Sequence, residues 1–197
     1  MEVPIPSCPN LKSLNLRRYH AYAFVLLTIP VVSSKLWAAD ATFYVGFQHP
    51  SKFPSILLAG NNQTGTVVGT RLSTSGLVAF EQSFGYSPNF MSFFIDVFNM
   101  QSNLVVRFPV GKLTPYGTAG VGLMKTWGNS EREFGTRFTV NYGGGIKFNK
   151  VVGPLGVRID VRGYTAPSVP IRDRFGRVVL EENLNFVEGS VGVVYSW

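Results

Sequence analysis

Three observations in the sequence predict an all-β protein, an eight-stranded antiparallel up-and-down transmembrane β-barrel. From residue 41 onward, apolar and polar residues alternate with a period of two in eight segments, and no window shows a helical periodicity. Turn-forming residues separate these segments, and long connections alternate with short ones. Charged residues make up only 15% of the chain, while the 45% that are hydrophobic form no run long enough for a spanning helix.

The first element, residues 1–39, has the organisation of a secretory signal peptide. A basic segment precedes a short apolar run at 21–32, and small residues follow it. We expect cleavage near 38–41, where Ala39-Asp40-Ala41 matches the A-x-A pattern best, and an uncleaved short N-terminal helix is the alternative. Residues 40–197 then form the predicted barrel domain.

The distribution of charge and of cysteine limits the partners and the kinds of site that we expect in the protein. The net charge is +7, but the basic residues are scattered and form no cluster, so we expect no nucleic-acid partner. The single cysteine, Cys8, lies in the predicted leader, so the mature domain would have no disulfide and no cysteine-ligated metal site. No strong motif for a metal or a cofactor is present, and we expect neither.

The eight strands follow the leader at regular intervals. Every proline from Pro50 onward lies in a connection or within two residues of a predicted strand start, which fits because proline cannot donate to an interior ladder. We place the strands at 42–49, 64–72, 76–86, 97–108, 114–126, 135–148, 155–165 and 184–197.

In chain order, the first, fourth, sixth, seventh and eighth segments alternate most clearly. Each sets an apolar face against a face of small, polar or charged residues. The apolar faces are Phe43, Val45 and Phe47; Phe98, Met100, Leu104, Val106 and Phe108; Phe138, Val140, Tyr142 and Ile146; Leu155, Val157, Ile159 and Val161; and Val187, Val191, Val193, Tyr195 and Trp197.

The connections sort by length. The short ones are 73–75, 109–113 and 149–154. An antiparallel membrane barrel has tight turns on the periplasmic side and long loops outside, and an even number of strands puts both termini on the periplasmic side. The long connections are 50–63, 87–96, 127–134 and 166–183.

Alternation alone cannot say which face points inward, but aromatic residues can. Large aromatics lie at both ends of the apolar faces, as in the aromatic girdles of membrane barrels, so we predict that these faces point toward lipid. The aromatics are Phe108, Phe148 and Trp197 near the turns, and Phe47, Phe84, Tyr86 and Trp127 near the long loops.

The opposite face then supplies a lumen rich in ionic side chains. We expect Glu81, Asp160 and Glu188 to pair with arginines, because a charge in a narrow lumen is costly unless paired or hydrated. An anion-selective pore is an alternative interpretation of the excess of cations. The predicted ionic network is Arg71, Glu81, Arg107, Arg137, Lys147, Arg158, Asp160, Arg162 and Glu188.

Several segments resemble the outer-membrane β-barrel family of OmpA-like and opacity-like proteins, over about residues 41–197. The resemblance implies an eight-stranded barrel in the bacterial outer membrane, with lipid and lipopolysaccharide around it and insertion by the outer-membrane assembly machinery. The chain ends with the barrel, so a wall-anchoring role is not carried over. The segments are LTPYGTAGVGL (113–123), FTVNYGGGIKF (138–148), GPLGVRIDVRGY (153–164) and FVEGSVGVVYSW (186–197).

The resemblance also implies an assembly signal in the last strand, formed by Val191, Val193, Tyr195 and Trp197. We expect a monomeric, non-enzymatic protein with a role in envelope integrity or surface interaction.

Because some small membrane barrels modify lipids, the alternative is an acyl hydrolase or transferase. His49 and Ser51 would supply the base and nucleophile of such a site, with Glu81 or Asp96 as the possible acid.

Two long connections carry unusual side chains. The second contains Phe90, Met91, Phe93, Phe94 and Ile95, for which we favour strand extension and lipid contact; a recognition surface and a fold over the barrel mouth are alternatives. The last holds Arg172, Asp173, Arg174, Arg177, Glu181 and Glu182, which we interpret as a solvated mixed-charge loop that lipopolysaccharide phosphate could also contact.

Overall fold

The computed structural model describes residues 38–51, 64–88, 90, 95–128, 135–172 and 178–197. Each strand pairs antiparallel with the next along the chain, and β8 pairs with β1 to close the sheet into a barrel. The eight-stranded antiparallel up-and-down barrel predicted from the sequence is therefore confirmed. The strands are β1 Ala38–Ser51, β2 Gly65–Thr74, β3 Val78–Ser87, β4 Ile95–Arg107, β5 Leu113–Gly128, β6 Thr136–Val152, β7 Leu155–Arg172 and β8 Val178–Ser196.

The two ends of the barrel differ in their connections. At one end, which we call the turn end, the connections 75–77, 108–112 and 153–154 are short. The opposite end, the loop end, carries the connections 52–64, 88–94, 129–135 and 173–177. Asp40 pairs with Ser196, so the first and last strands meet at the turn end.

The last connection is much shorter than predicted. The prediction of a long loop over 166–183 is wrong, because β7 and β8 continue to pair beyond the other strands as a two-stranded hairpin. Ala166 pairs with Leu184, and Ile171 pairs with Leu180. A register shift follows Ala166, where Ser168 has a φ of 52°. Only the first three loop-end connections are therefore longer than the turn-end connections, as predicted.

The barrel carries its apolar side chains outside and its charges inside. In β7, Ile159 and Val161 are 50% and 57% exposed, whereas Arg158 and Arg162 are 3% and 0% exposed. A water-soluble barrel has the reverse arrangement, because its apolar side chains fill the centre. The observed order is that of a transmembrane barrel, in which lipid surrounds the apolar band.

Closure of the barrel also pairs the backbone N–H and C=O groups of the strands, since every strand has a hydrogen-bonded neighbour on both sides. No helix among the residues described is both long enough and apolar enough to cross a membrane.

Candidate functional site: the ionic lumen and its apolar cap

A cluster of three arginines and three carboxylates occupies the middle of the lumen. Arg71, on β2, donates from Nη1 to Asp160 on β7 at 2.7 Å and from Nη2 to Glu188 on β8 at 3.0 Å. Ser190 accepts a further bond from the same Nη2 at 3.1 Å, and Gln48 donates to Glu188 at 2.9 Å. These bonds connect four strands across the lumen.

Glu81, on β3, accepts hydrogen bonds from the other two arginines. Arg158 Nη1 lies 2.6 Å from Glu81 Oε2, and Arg162 Nη2 lies 2.8 Å from Oε1. The two arginines also contact Asp160, at 3.0 Å from Arg158 Nε and 3.1 Å from Arg162 Nη2. Each of the six ionic groups therefore has an opposite charge within contact distance, and the cluster as a whole is neutral.

Two tyrosines cover the arginines, and glycines make room for the tyrosines. The Arg71 guanidinium lies 3.8 Å from the ring centroid of Tyr44, and that of Arg158 lies 4.5 Å from the centroid of Tyr116. Tyr116 also donates its hydroxyl proton to Asp160. A Cβ at Gly145 would collide with the Tyr116 hydroxyl, so the small residues of the inner face are needed for this packing.

A second ionic cluster lies near the turn end and contains a residue that the sequence analysis missed. Asp40 accepts hydrogen bonds from Ser73 at 2.6 Å, from Lys147 at 2.8 Å and from Arg107 at 3.4 Å. Arg107 also donates to the carbonyl oxygen of Thr74 at 2.8 Å. The sequence places Asp40 in the region of predicted leader cleavage, and the one signal for a position in the lumen is its parity with the inward-facing Thr42 and Tyr44 of β1.

Between the central cluster and the loop end, side-chain amides fill the lumen. Asn141 donates to Gln101 at 2.9 Å and to Asn103 at 2.8 Å. Gln101 in turn donates to the hydroxyl of Thr139 at 2.6 Å. Arg137 lies on the inner side of β6, in alternation with Thr139 and Asn141.

The lumen is capped at the loop end by apolar side chains. Phe90 packs edge-on against Phe186 at 5.3 Å between centroids, and Phe186 stacks on Tyr164 at 4.8 Å. We call this group the apolar cap; it consists of Phe90, Val97, Met124, Tyr164, Ala166, Val169, Leu184 and Phe186, all of them buried.

The cap corrects the interpretation of the second long connection. Phe90 and Ile95 are 1% and 0% exposed, so these two side chains are buried and make no contact with lipid. Alternation places Ile95 on the same inner face of β4 as Val97, and Phe90 folds over the barrel mouth. Met91, Phe93 and Phe94 lie outside the described residues.

The residues considered for catalysis are divided between the two sides of the barrel wall: His49 and Ser51 lie on the outer side of β1, and Glu81 lies in the lumen. His49 Nδ1 lies 3.1 Å from the Thr64 hydroxyl, on the exposed outer side of the strands. Glu81 is enclosed in the lumen by arginines, and Asp96 accepts from the Tyr86 hydroxyl at 2.8 Å. Among the residues that the structure describes, no group of three or more histidine, cysteine or acidic side chains is arranged to hold a metal.

The last strand presents its candidate assembly signal on the outer surface. Val191, Val193, Tyr195 and Trp197 are all exposed. The rings of Tyr195 and Trp197 lie 5.9 Å apart at the turn end. Among the charged residues predicted for the last long connection, Arg172, Glu181 and Glu182 belong to strands β7 and β8, whereas Asp173, Arg174 and Arg177 lie outside the described residues.

Searches of protein-family models and of curated proteins give no match to this chain. Among solved structures, Neisserial surface protein A (NspA) superposes with a TM-score of 0.59 at 14% identity, over 80% of this chain and 96% of that one. The chain has the small outer-membrane β-barrel fold.

Other solved barrels of this fold match the chain with lower scores. The N-terminal barrel domain of Pseudomonas aeruginosa OprF matches at 13% identity and a TM-score of 0.49, over 80% of this chain and 98% of that one. The outer-membrane enzyme PagL matches at 15% identity and 0.46, over 81% and 100%. At 14% identity, the match to NspA shows a shared fold and assigns no role to this chain.

Proposed function

We propose that this protein is an integral β-barrel of the bacterial outer membrane, with a structural or surface-interaction role and no enzymatic activity. The observation that carries the proposal is the combination of an apolar exterior with a filled interior whose central ionic cluster is neutral. Such a barrel is stable in lipid because its backbone is internally paired and its charges are compensated away from the hydrocarbon. In this orientation the loop end is the part of the barrel that is available for interaction at the cell surface.

The location follows from the fold and the leader taken together. The small outer-membrane barrel fold and the signal-like residues 1–39 both favour export. In this proposal the turn end with both termini faces the periplasm, and Val191, Val193, Tyr195 and Trp197 are the signal that the assembly machinery recognises. Lipid and lipopolysaccharide surround the barrel, which is a monomer.

The arrangement of the lumen supports a closed barrel over an anion-selective pore. A pore of that kind needs arginines that are free to meet a passing anion. Arg71, Arg158 and Arg162 are instead engaged by carboxylates. Above them the apolar cap fills the loop end of the lumen.

The positions of the candidate catalytic groups support a non-enzymatic role. Hydrolysis by a His–Ser–acid trio needs all three groups within hydrogen-bond reach. His49 lies on the outer side of the sheet and Glu81 on the inner side, so the wall of the barrel separates them. The other possible acid, Asp96, accepts a hydrogen bond from Tyr86, whereas the partner of His49 is Thr64. Purified protein incubated with lipid A should leave the acyl chains intact; acyl release or transfer that is lost in His49→Ala would contradict the proposal.

The experiment that tests the location is membrane fractionation combined with gel mobility. The full chain should sediment with the outer membrane and migrate as a fast, compact band that shifts on boiling, because a closed barrel resists detergent at room temperature. A soluble protein, or a membrane protein whose band does not shift, would overturn the proposed function.

A further inference from the structure

We propose that the turn end carries a binding ledge for anionic phospholipid headgroups, an inference that rests on the proposed membrane location. The ledge is formed by the β4–β5 turn and the end of β6. It consists of the apolar residues Phe108, Val110, Val151 and Val152 and the lysines Lys112 and Lys150.

The apolar residues of the ledge are exposed where a water-facing turn would be polar. Phe108, Val110, Val151 and Val152 are between 59% and 71% exposed, as much as or more than most lipid-facing residues of the barrel wall. Contiguous exposed apolar side chains mark a surface that contacts a partner or a membrane. Their position next to the aromatic belt at Phe148 and Trp197 makes the ledge continuous with the lipid-facing band.

The two lysines lie on backbone segments that are hydrogen-bonded to each other at the edge of this apolar surface. The Asn149 amide donates to the carbonyl oxygen of Lys112 at 2.9 Å, which joins the end of β6 to the β4–β5 turn and places Lys112 next to the residue that precedes Lys150. The Asn149 side chain also donates to Thr114 at the start of β5, at 2.7 Å. Both lysines are exposed, so their positions are fixed by the backbone while their ammonium groups meet solvent.

The charge of the ledge is not compensated by neighbouring carboxylates. The turns 75–77, 108–112 and 153–154 and the last four residues of β6, 149–152, contain no aspartate or glutamate. Within the described part of the chain, the ion pairs at this end join Asp40 to Lys147 and Arg107, and neither Lys112 nor Lys150 takes part in one.

This combination fits a phospholipid headgroup. Aromatic belts mark the level of the headgroups, and the lysines lie just beyond the belt. There a phosphodiester can pair with Lys112 and Lys150 while its acyl chains cover Phe108 and Val152. A basic side chain near an anionic membrane surface strengthens binding roughly fivefold, so the two lysines together are worth up to roughly 25-fold.

Competition between two lipids tests the ledge. The full-length protein in detergent is offered equimolar phosphatidylglycerol and phosphatidylcholine, and the lipids that it retains are counted by native mass spectrometry. We expect wild type to retain phosphatidylglycerol preferentially and Lys112→Gln/Lys150→Gln to lose most of that preference. Lys125→Gln is the matched control, because Lys125 is an exposed lysine near the loop end and should keep the wild-type ratio.

Three outcomes overturn the ledge without affecting the proposed function: equal retention of both lipids by wild type, an unchanged preference in the Lys112→Gln/Lys150→Gln variant, or an equal loss of preference in the Lys125→Gln control. If the ledge binds a soluble protein and not lipid, wild type should retain both lipids equally, which is the first outcome. Heat-modifiable gel mobility of each variant reports on the barrel itself. A wild-type protein that fails this check overturns the proposed function, whereas a folded barrel without lipid preference overturns only the ledge.

Discussion

Removing the carboxylate of Glu81 should destabilise the barrel strongly. Glu81 is 0% exposed and accepts charged hydrogen bonds from Arg158 at 2.6 Å and Arg162 at 2.8 Å. Glu81→Ala leaves the central cluster with three cations and two anions in a lumen that excludes bulk water. Breaking a buried pair in this way costs roughly 3–5 kcal/mol. That is a large part of the stability of a small domain, which is about 5–15 kcal/mol.

Urea unfolding in phospholipid vesicles, followed by tryptophan fluorescence, measures this loss. Asp96→Ala is the control, because Asp96 lies at a strand end and accepts a bond from Tyr86; its loss should cost only about 1 kcal/mol. Glu81→Ala/Arg158→Ala restores the balance of charges and should cost less than the sum of the single changes by about 1–3 kcal/mol. A Glu81→Ala cost no larger than the control, or strict additivity in the double variant, would refute the reasoning.

Three further predictions follow from the same structure. Ile159 lies on the outer face of β7, four residues after its start and close to mid-span. In vesicles, Ile159→Arg should lower the free energy of unfolding by roughly 2–4 kcal/mol and Ile159→Leu by about 1 kcal/mol or less. Equal losses in urea titrations would contradict the assignment of faces. Asp40 pairs with Lys147, so the leader should be cleaved before Asp40 and not after Ala41, the position that the A-x-A pattern favours; an intact mass that places cleavage after Ala41 would contradict this. Planar-bilayer recordings should show no steady conductance, whereas an anion current that is lost in Arg158→Ala would indicate an open pore.

Alternation in the sequence was sufficient to predict the strands and to separate the two faces of each. Successive side chains of a strand point to opposite faces. Once Arg158, Asp160 and Arg162 are assigned to the inner face, the other side chains of β7 in this register are assigned as well. The choice between lipid outside and core inside needed the aromatic residues at the strand ends, since alternation is the same in both cases. Trp127, Phe148 and Trp197 supplied that information.

Features that depend on pairing between distant segments were not predictable. The extension of β7 and β8 needed the partnership of Ala166 with Leu184, and local composition there is typical of a loop. The apolar cap was missed for a different reason. Phe186 and Val97 lie on the inner faces of their strands, where the pattern of a membrane barrel predicts polar residues, and only the three-dimensional meeting with Phe90 explains them.

Which arginine pairs with which carboxylate was also not predictable from the sequence. Alternation placed Arg71 and Asp160 in one lumen, but which arginine reaches which carboxylate depends on the stagger of strands that lie far apart in the sheet. Asp40 shows the limit most clearly, because its role follows from contacts with β2, β4 and β6 that no local signal encodes.

The most direct test of the inside-out arrangement is spin-label accessibility in lipid. Single cysteines are introduced at Ile159 and Val193 on the outer face and at Thr118 and Ser190 on the inner face, in a Cys8→Ser background. Labels at the outer sites should collide readily with oxygen dissolved in the hydrocarbon, and labels at the inner sites should be shielded from it. High oxygen accessibility at Thr118 and Ser190 together with low accessibility at Ile159 and Val193 would contradict the account.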